Sequence, residues 1–100
     1  MNLCTLAVDN QGHQDSKLFV DLIGEEILNE FLGQLLEPET EHKIIDFSVK
    51  LLQNFEIPVS QNDIYVRVFS ADNSSFKIQI SENLEKELQF FEMLNPEYFI

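Results

Sequence analysis

Apolar positions recur with a helical period from Glu25 to Leu36. Ile27, Leu28, Phe31, Leu32, Leu35 and Leu36 share one side of a 3.6-residue wheel, while Glu25, Glu26, Asn29, Glu30 and Gln34 share the other. The phase breaks at Gly24. Carried backwards on the same helix, Leu18, Phe19, Leu22 and Ile23 land among the polar positions. An extended reading of "KLFVDLI" sets Leu18, Val20 and Leu22 on one face against Phe19, Asp21 and Ile23 on the other. The pattern therefore predicts a strand over 17–23, a turn at Gly24 and a helix over 25–36. One long helix from Ser16 is the competing reading.

Upstream, "NLCTLAVD" alternates with Cys4, Leu6 and Val8 facing one way, and the polar "NQGHQDS" around Gly12 suits a hairpin loop. Downstream, Ile44, Ile45, Phe47, Val49, Leu51, Leu52 and Phe55 fill an arc of about 200°, wider than the stripe of a one-sided surface helix, so this helix should touch neighbours on two sides. Pro58 ends it by disfavouring helix at Ile57. The cleanest alternation follows: Ile64, Val66 and Val68 against Tyr65, Arg67 and Phe69, then Phe76, Ile78 and Ile80 against Lys77 and Gln79. The turn formers "ADNSS" lie between the two runs. Ser81 is a natural N-cap, with Glu82 and Glu85 in a first turn whose dipole favours negative charge. Leu84, Leu88 and Phe91, flanked by Phe90 and Leu94, give the last helix an inward face, and Asn95-Pro96 stops it.

These elements predict a single α+β domain over 1–100: a small antiparallel sheet of about four strands with three helices packed on one face, in the order ββααββα. Shifting the second half back by 57 positions pairs Phe19 with Phe76 and Ile23 with Ile80, which hints at an internal duplication.

Composition changes this picture mainly through charge. Eighteen acids against six bases leave a formal net charge of −12. Surface scaling spreads this to about one net negative charge per 500 Å². Such a field repels phosphates and anionic membranes, so neither nucleic acid nor a membrane is expected as a direct partner, while a basic protein is attracted and its encounter accelerated. The single cysteine, Cys4, allows no internal disulfide. With neither an export-type leader nor an apolar run of membrane-spanning length, this points to a cytoplasmic setting.

No constellation for chemistry stands out. His13 falls in a polar loop and His42 on a polar helix face, with no nucleophile elbow to pair with either. One cysteine and two distant histidines cannot furnish a zinc site, and a calcium loop counted from Asp9 meets Gln14 and Val20 where glycine and glutamate are needed. No catalytic residue, metal or cofactor is assigned, and the chain is not read as an enzyme.

The candidate residues are those of a binding surface. Glu25, Glu26 and Glu30 lie on the outer side of the first helix, and Glu37, Glu39 and Glu41 in "LLEPETEHK" would extend it into one negative face. Glu39 and Glu41 also sit favourably at a helix start. Tyr98 and Phe99, in the apolar tail "LNPEYFI", are the aromatic anchors. The tail is expected to pack on the sheet near Tyr65 and Phe69, or else against a second copy or in a partner's groove. The resulting expectation is a small acidic protein-binding module that inhibits or escorts a basic partner, as immunity proteins, antitoxins and chaperones do. The alternative is a homo-oligomer, such as a dimer, with a structural or regulatory role, and the third reading is a small-ligand binder or enzyme.

Overall fold

The computed structural model describes residues 3–7, 17–31, 34–68 and 76–99, with 3–7 described by backbone alone. Within them the chain is α+β. The order is β1 (Leu3–Ala7), α1 (17–31), α2 (Thr40–Asn54), β2 (Ile64–Val68), β3 (Phe76–Ser81) and α3 (Glu82–Leu94), with short 3-10 turns at Gln61–Asp63 and Pro96–Tyr98.

The sheet forms where alternation is cleanest. β2 and β3 pair antiparallel from Ile64↔Ile80 to Val68↔Phe76, and β3 also pairs antiparallel with β1, from Leu3↔Ser81 to Ala7↔Lys77. Among the described residues β3 is thus the central strand of three. Ile64, Phe76, Ile78 and Ile80 are buried beneath the helices, whereas Tyr65 and Arg67 are exposed on the uncovered face. The alternation in the sequence therefore reports which face the helices cover.

The expected fourth strand, 17–23, is instead the first half of α1. Lys17–Phe19 is α-helical, Val20–Gly24 forms a π-helical turn, and Glu25–Phe31 resumes the α-helix. A π turn accommodates one residue more than an α turn, so it rotates everything before it by about 100°. That rotation moves Phe19 and Ile23 from the polar side onto the side of Ile27 and Phe31, and all four are buried. The phase break at Gly24 is therefore a change of helical register and not a change from strand to helix. Gly24 suits the position, because a Cβ there would stand 3.1 Å from Val20 Cγ1. The ion pair between Lys17 and Asp21, four residues apart, belongs to the same helix.

Two further expectations change with it. Phe19 is helical and Phe76 is in a strand, so the two halves do not repeat one another. The helix does not run to Leu36, because residues 34–36 are not helical. Leu35 is 67% exposed while Leu36 is buried, a split that fits a turn and not a continuing apolar face. The proposed hairpin loop after β1, like Val8, His13 and Phe69, lies outside the described residues.

α2 has neighbours on two sides, as its wide arc predicts. It packs against β2, and Phe47 meets Phe31 of α1 edge-to-face at 5.8 Å. Ser48, fully buried on this helix, donates its hydroxyl to the Ile44 carbonyl at 2.7 Å. α3 begins as read from sequence: the Ser81 hydroxyl accepts from the Leu84 amide at 3.1 Å. The tail does not lie on the sheet. Tyr98 packs on Phe55 and Phe91 at 5.4 and 5.8 Å, and Phe99 on Phe91 at 6.1 Å, so it closes against the ends of α2 and α3.

Candidate functional site

The six glutamates singled out from sequence occupy different environments. Glu25, Glu26 and Glu30 are exposed on α1. Glu30 borders a shallow groove shared with Lys43, Asp46 and Lys50 of α2, so two bases stand beside it. Glu37 and Glu39 are exposed at the turn before α2 and interact with each other. The Glu37 carboxyl is raised above its ordinary value by its hydrogen bond to Glu39 and by that neighbour's charge, opposed by Lys43. The Glu39 carboxyl is lowered by its own backbone amide and by the hydrogen bond to Glu37.

Glu41 has an internal partner. Its Oε2 accepts the Val68 amide at 2.9 Å, which caps a donor on the outer edge of β2. At the other end of that strand the Ile64 amide donates to the Gln61 carbonyl. An unpaired strand edge invites association with other chains, and these two contacts cover its ends. Glu41 thus serves the fold, apart from the exposed acids of α1.

The apolar residues outside the core concentrate at the end of α3. Among the described residues, the seven exposed large hydrophobics include Phe90, Met93, Leu94 and Tyr98, at 59%, 77%, 64% and 49% exposure. Phe90 and Leu94, expected to flank the inward face, are exposed. α3 carries Leu84, Leu88, Phe90, Phe91, Met93 and Leu94 over an arc of about 220°, more than one packing partner can cover. That width was visible in the sequence and marks the patch that the reading of Phe90 and Leu94 as core-flanking overlooked.

Beside this helix runs a groove of about 390 Å³, walled by Phe90, Phe91 and Leu94 on one side and by Phe55 and Pro58 on the other. Among the described residues its charged lining is Glu56 and Glu87, with no lysine or arginine. Glu56 ends α2 in a Schellman arrangement: its amide donates to the Gln53 carbonyl at 2.9 Å and the Ile57 amide to the Leu52 carbonyl at 3.2 Å. The residue at this position adopts a left-handed backbone, here φ = 61°, which glycine takes at the least cost. A glutamate holds it on the rim of the groove. Sequence reasoning, which ended the helix on Pro58, gave no sign of this.

Glu85, at the other end of α3, is a half-buried acid. Its Oε2 has no hydrogen-bond partner among the described residues. Desolvation raises its carboxyl above the ordinary value, repulsion from Glu92 adds to this, and a hydrogen bond with Gln89 opposes it. A raised folded-state value means that Glu85 supports the fold below its unfolded value near 4.5 and loses that contribution as pH rises through the folded one. Glu85→Gln is therefore expected to raise the thermal midpoint slightly at pH about 7, a small effect because solvent still screens the group, and to leave it unchanged near pH 3. A lower midpoint at neutral pH would contradict this assignment.

Among the described residues there is no group of three or more histidine, cysteine, aspartate or glutamate side chains arranged to hold a metal ion, and no helix long and apolar enough to cross a membrane. Searches against protein-family models, curated proteins and solved structures returned no match, so the functional reading rests on these residues alone.

Proposed function

We propose that this chain is an acidic protein-binding module that inhibits or escorts a basic partner protein. The observation that carries the reading is the exposed surface of Phe90, Met93, Leu94 and Tyr98 beside a groove whose charged lining residues are both glutamates. Apolar patches rimmed by polar groups are characteristic of protein-binding sites, and aromatic side chains supply much of the binding energy at such sites. The net charge of −12 favours fast capture of a positively charged partner over an acidic one. Glu25, Glu26, Glu37 and Glu39 are exposed and available to steer that encounter, while Tyr98 adds its exposed ring to the patch and Phe99 packs on Phe91.

The test is capture from the native source on immobilised protein at low salt, with elution in salt steps. A basic protein that releases as ionic strength rises is the expected result, because screening lengths fall from about 10 Å at 0.1 M to about 3 Å at 1 M salt. Retention of acidic proteins alone, or of nothing, would overturn the reading. The same exposed patch also favours a second reading, in which it closes a homodimer. Sedimentation showing a salt-strengthened dimer that Leu94→Lys dissolves would establish that reading instead.

A further inference from the structure

We infer that the groove between the Glu56–Pro58 turn and the end of α3 receives a short amphipathic helix of a basic partner, its apolar side chains seated on Phe55, Phe90, Phe91 and Leu94 and its lysines or arginines reaching Glu56 and Glu87. This deepens the proposed function and rests on it. Four observations argue for that occupant.

The first is the shape of the walls. One wall is a helix and the other is a turn that carries Pro58, so the groove offers no free strand edge. An extended segment would find no ladder to join, whereas a helix satisfies its own backbone and needs only side-chain contact. Glu87, Phe90, Phe91 and Leu94 follow one another along α3 at spacings that present a ridge to a second helix.

The second is size and polarity. At about 390 Å³ the groove lies at the low end for small-molecule sites and is open along its length. It suits one or two inserted side chains better than an enclosed metabolite.

The third is charge. Both charged lining residues are acidic, and Glu92 and Glu97 follow nearby along the chain. In a symmetric pairing of two copies the same carboxylates would confront one another, which opposes self-association at this face. A cationic helix meets the opposite situation.

The fourth is strain. Glycine at residue 56 would adopt φ = 61° at lower cost, yet glutamate is present on the rim. Strained backbone of this kind concentrates at functional positions, where the side chain has a use beyond stability.

The experiment uses the full chain and a fluorescently labelled peptide of about 16 residues, with leucine at i, i+3, i+4 and i+7 and lysine elsewhere. A scrambled peptide of the same composition and a counterpart with glutamate for lysine serve as controls. Saturable binding is expected for the patterned cationic peptide, with backbone amide shifts centred on residues 55–58 and 87–95. Phe90→Ala and Leu94→Ala should each weaken it about tenfold, as expected for central anchors. Leu35→Ala, exposed elsewhere, should leave it unchanged. Glu56→Gly should raise the thermal midpoint and weaken binding a few-fold, two readouts moving in opposite senses.

Binding that maps to the acids of α1 and ignores Phe90→Ala and Leu94→Ala would overturn the groove while leaving the basic-partner reading intact. Equal binding of the scrambled peptide would overturn the helical occupant. Equal binding of the acidic counterpart would overturn the charge requirement and with it the proposed function. No binding of any peptide would overturn the inference, and capture of a basic protein from the native source would then be the remaining test of the function.

Discussion

Phe19→Ala is expected to lower the free energy of unfolding by about 3–5 kcal/mol, measured by urea titration, because it removes a fully buried aromatic ring and leaves a cavity behind it. Leu18→Ala, beside it in sequence but only half-buried, should cost about 1 kcal/mol. The contrast tests the register of α1 as well as its packing. With the π turn at Val20–Gly24, Phe19 joins Ile23, Ile27 and Phe31 in the core. An extended segment would place Leu18, Val20 and Leu22 together and set Phe19 with Asp21 on the opposite face. A larger loss from Leu18→Ala than from Phe19→Ala would restore the strand and remove the helical register shift.

The second large effect is expected at a polar side chain. Asp63 accepts the Ser60 amide at 3.0 Å through Oδ2, and the Ser81 hydroxyl at 2.7 Å through Oδ1. Ser81 in turn accepts the Leu84 amide and caps α3. One carboxylate therefore fastens the turn before β2 to the start of the last helix. Hydrogen bonds to a charged acceptor contribute about 1.5–3 kcal/mol each, and breaking this set leaves the buried Ser81 hydroxyl without its acceptor. Asp63→Ala should destabilise the chain by about 2–4 kcal/mol in urea titration. Ser81→Ala, which leaves Asp63 its contacts with Ser60, should cost about 1–2 kcal/mol. Because the two residues share one hydrogen bond, the double variant should lose less than the sum of the single losses. Additive losses would show that Asp63 and Ser81 act independently.

The legible parts of this fold are those where a local pattern had one physical solution. Ile64 to Val68 and Phe76 to Ile80 alternate over a half-covered sheet, and the burial follows the alternation residue by residue. Ser81 as a cap and Asn95-Pro96 as a stop are local stereochemistry, and both lie where the sequence puts them. The α1 segment failed for a definable reason. A period of 3.6 cannot represent an inserted residue, and a rotated helix phase looks the same as a change of element when the only tool is periodicity.

The candidate site was less legible than the fold. The acids were read correctly as surface residues at Glu25, Glu26, Glu30, Glu37 and Glu39, but Glu41 caps β2 across a separation of 27 residues. No local pattern reports such a contact. Phe90 and Leu94 were read as flanking an inward face because they are apolar and near it, although the breadth of the apolar arc already exceeded what one core could cover. Glu56 was invisible, since its backbone conformation depends on how α2 ends against the chain that follows it.

By itself, the sequence determined an α+β chain with a strong excess of acids, the alternating strands β2 and β3 and a capped last helix. Each of these depends on composition or on residues within a few positions of one another. The tertiary structure alone decided that β1 pairs with the distant β3, that Glu41 serves the sheet edge, that the tail closes on Phe55 and Phe91 and that Phe90 and Leu94 remain uncovered. These outcomes depend on which surfaces compete for a limited core. A chain of 100 residues can bury only part of its apolar surface, and Phe90 and Leu94 are among the residues left exposed when the core closes.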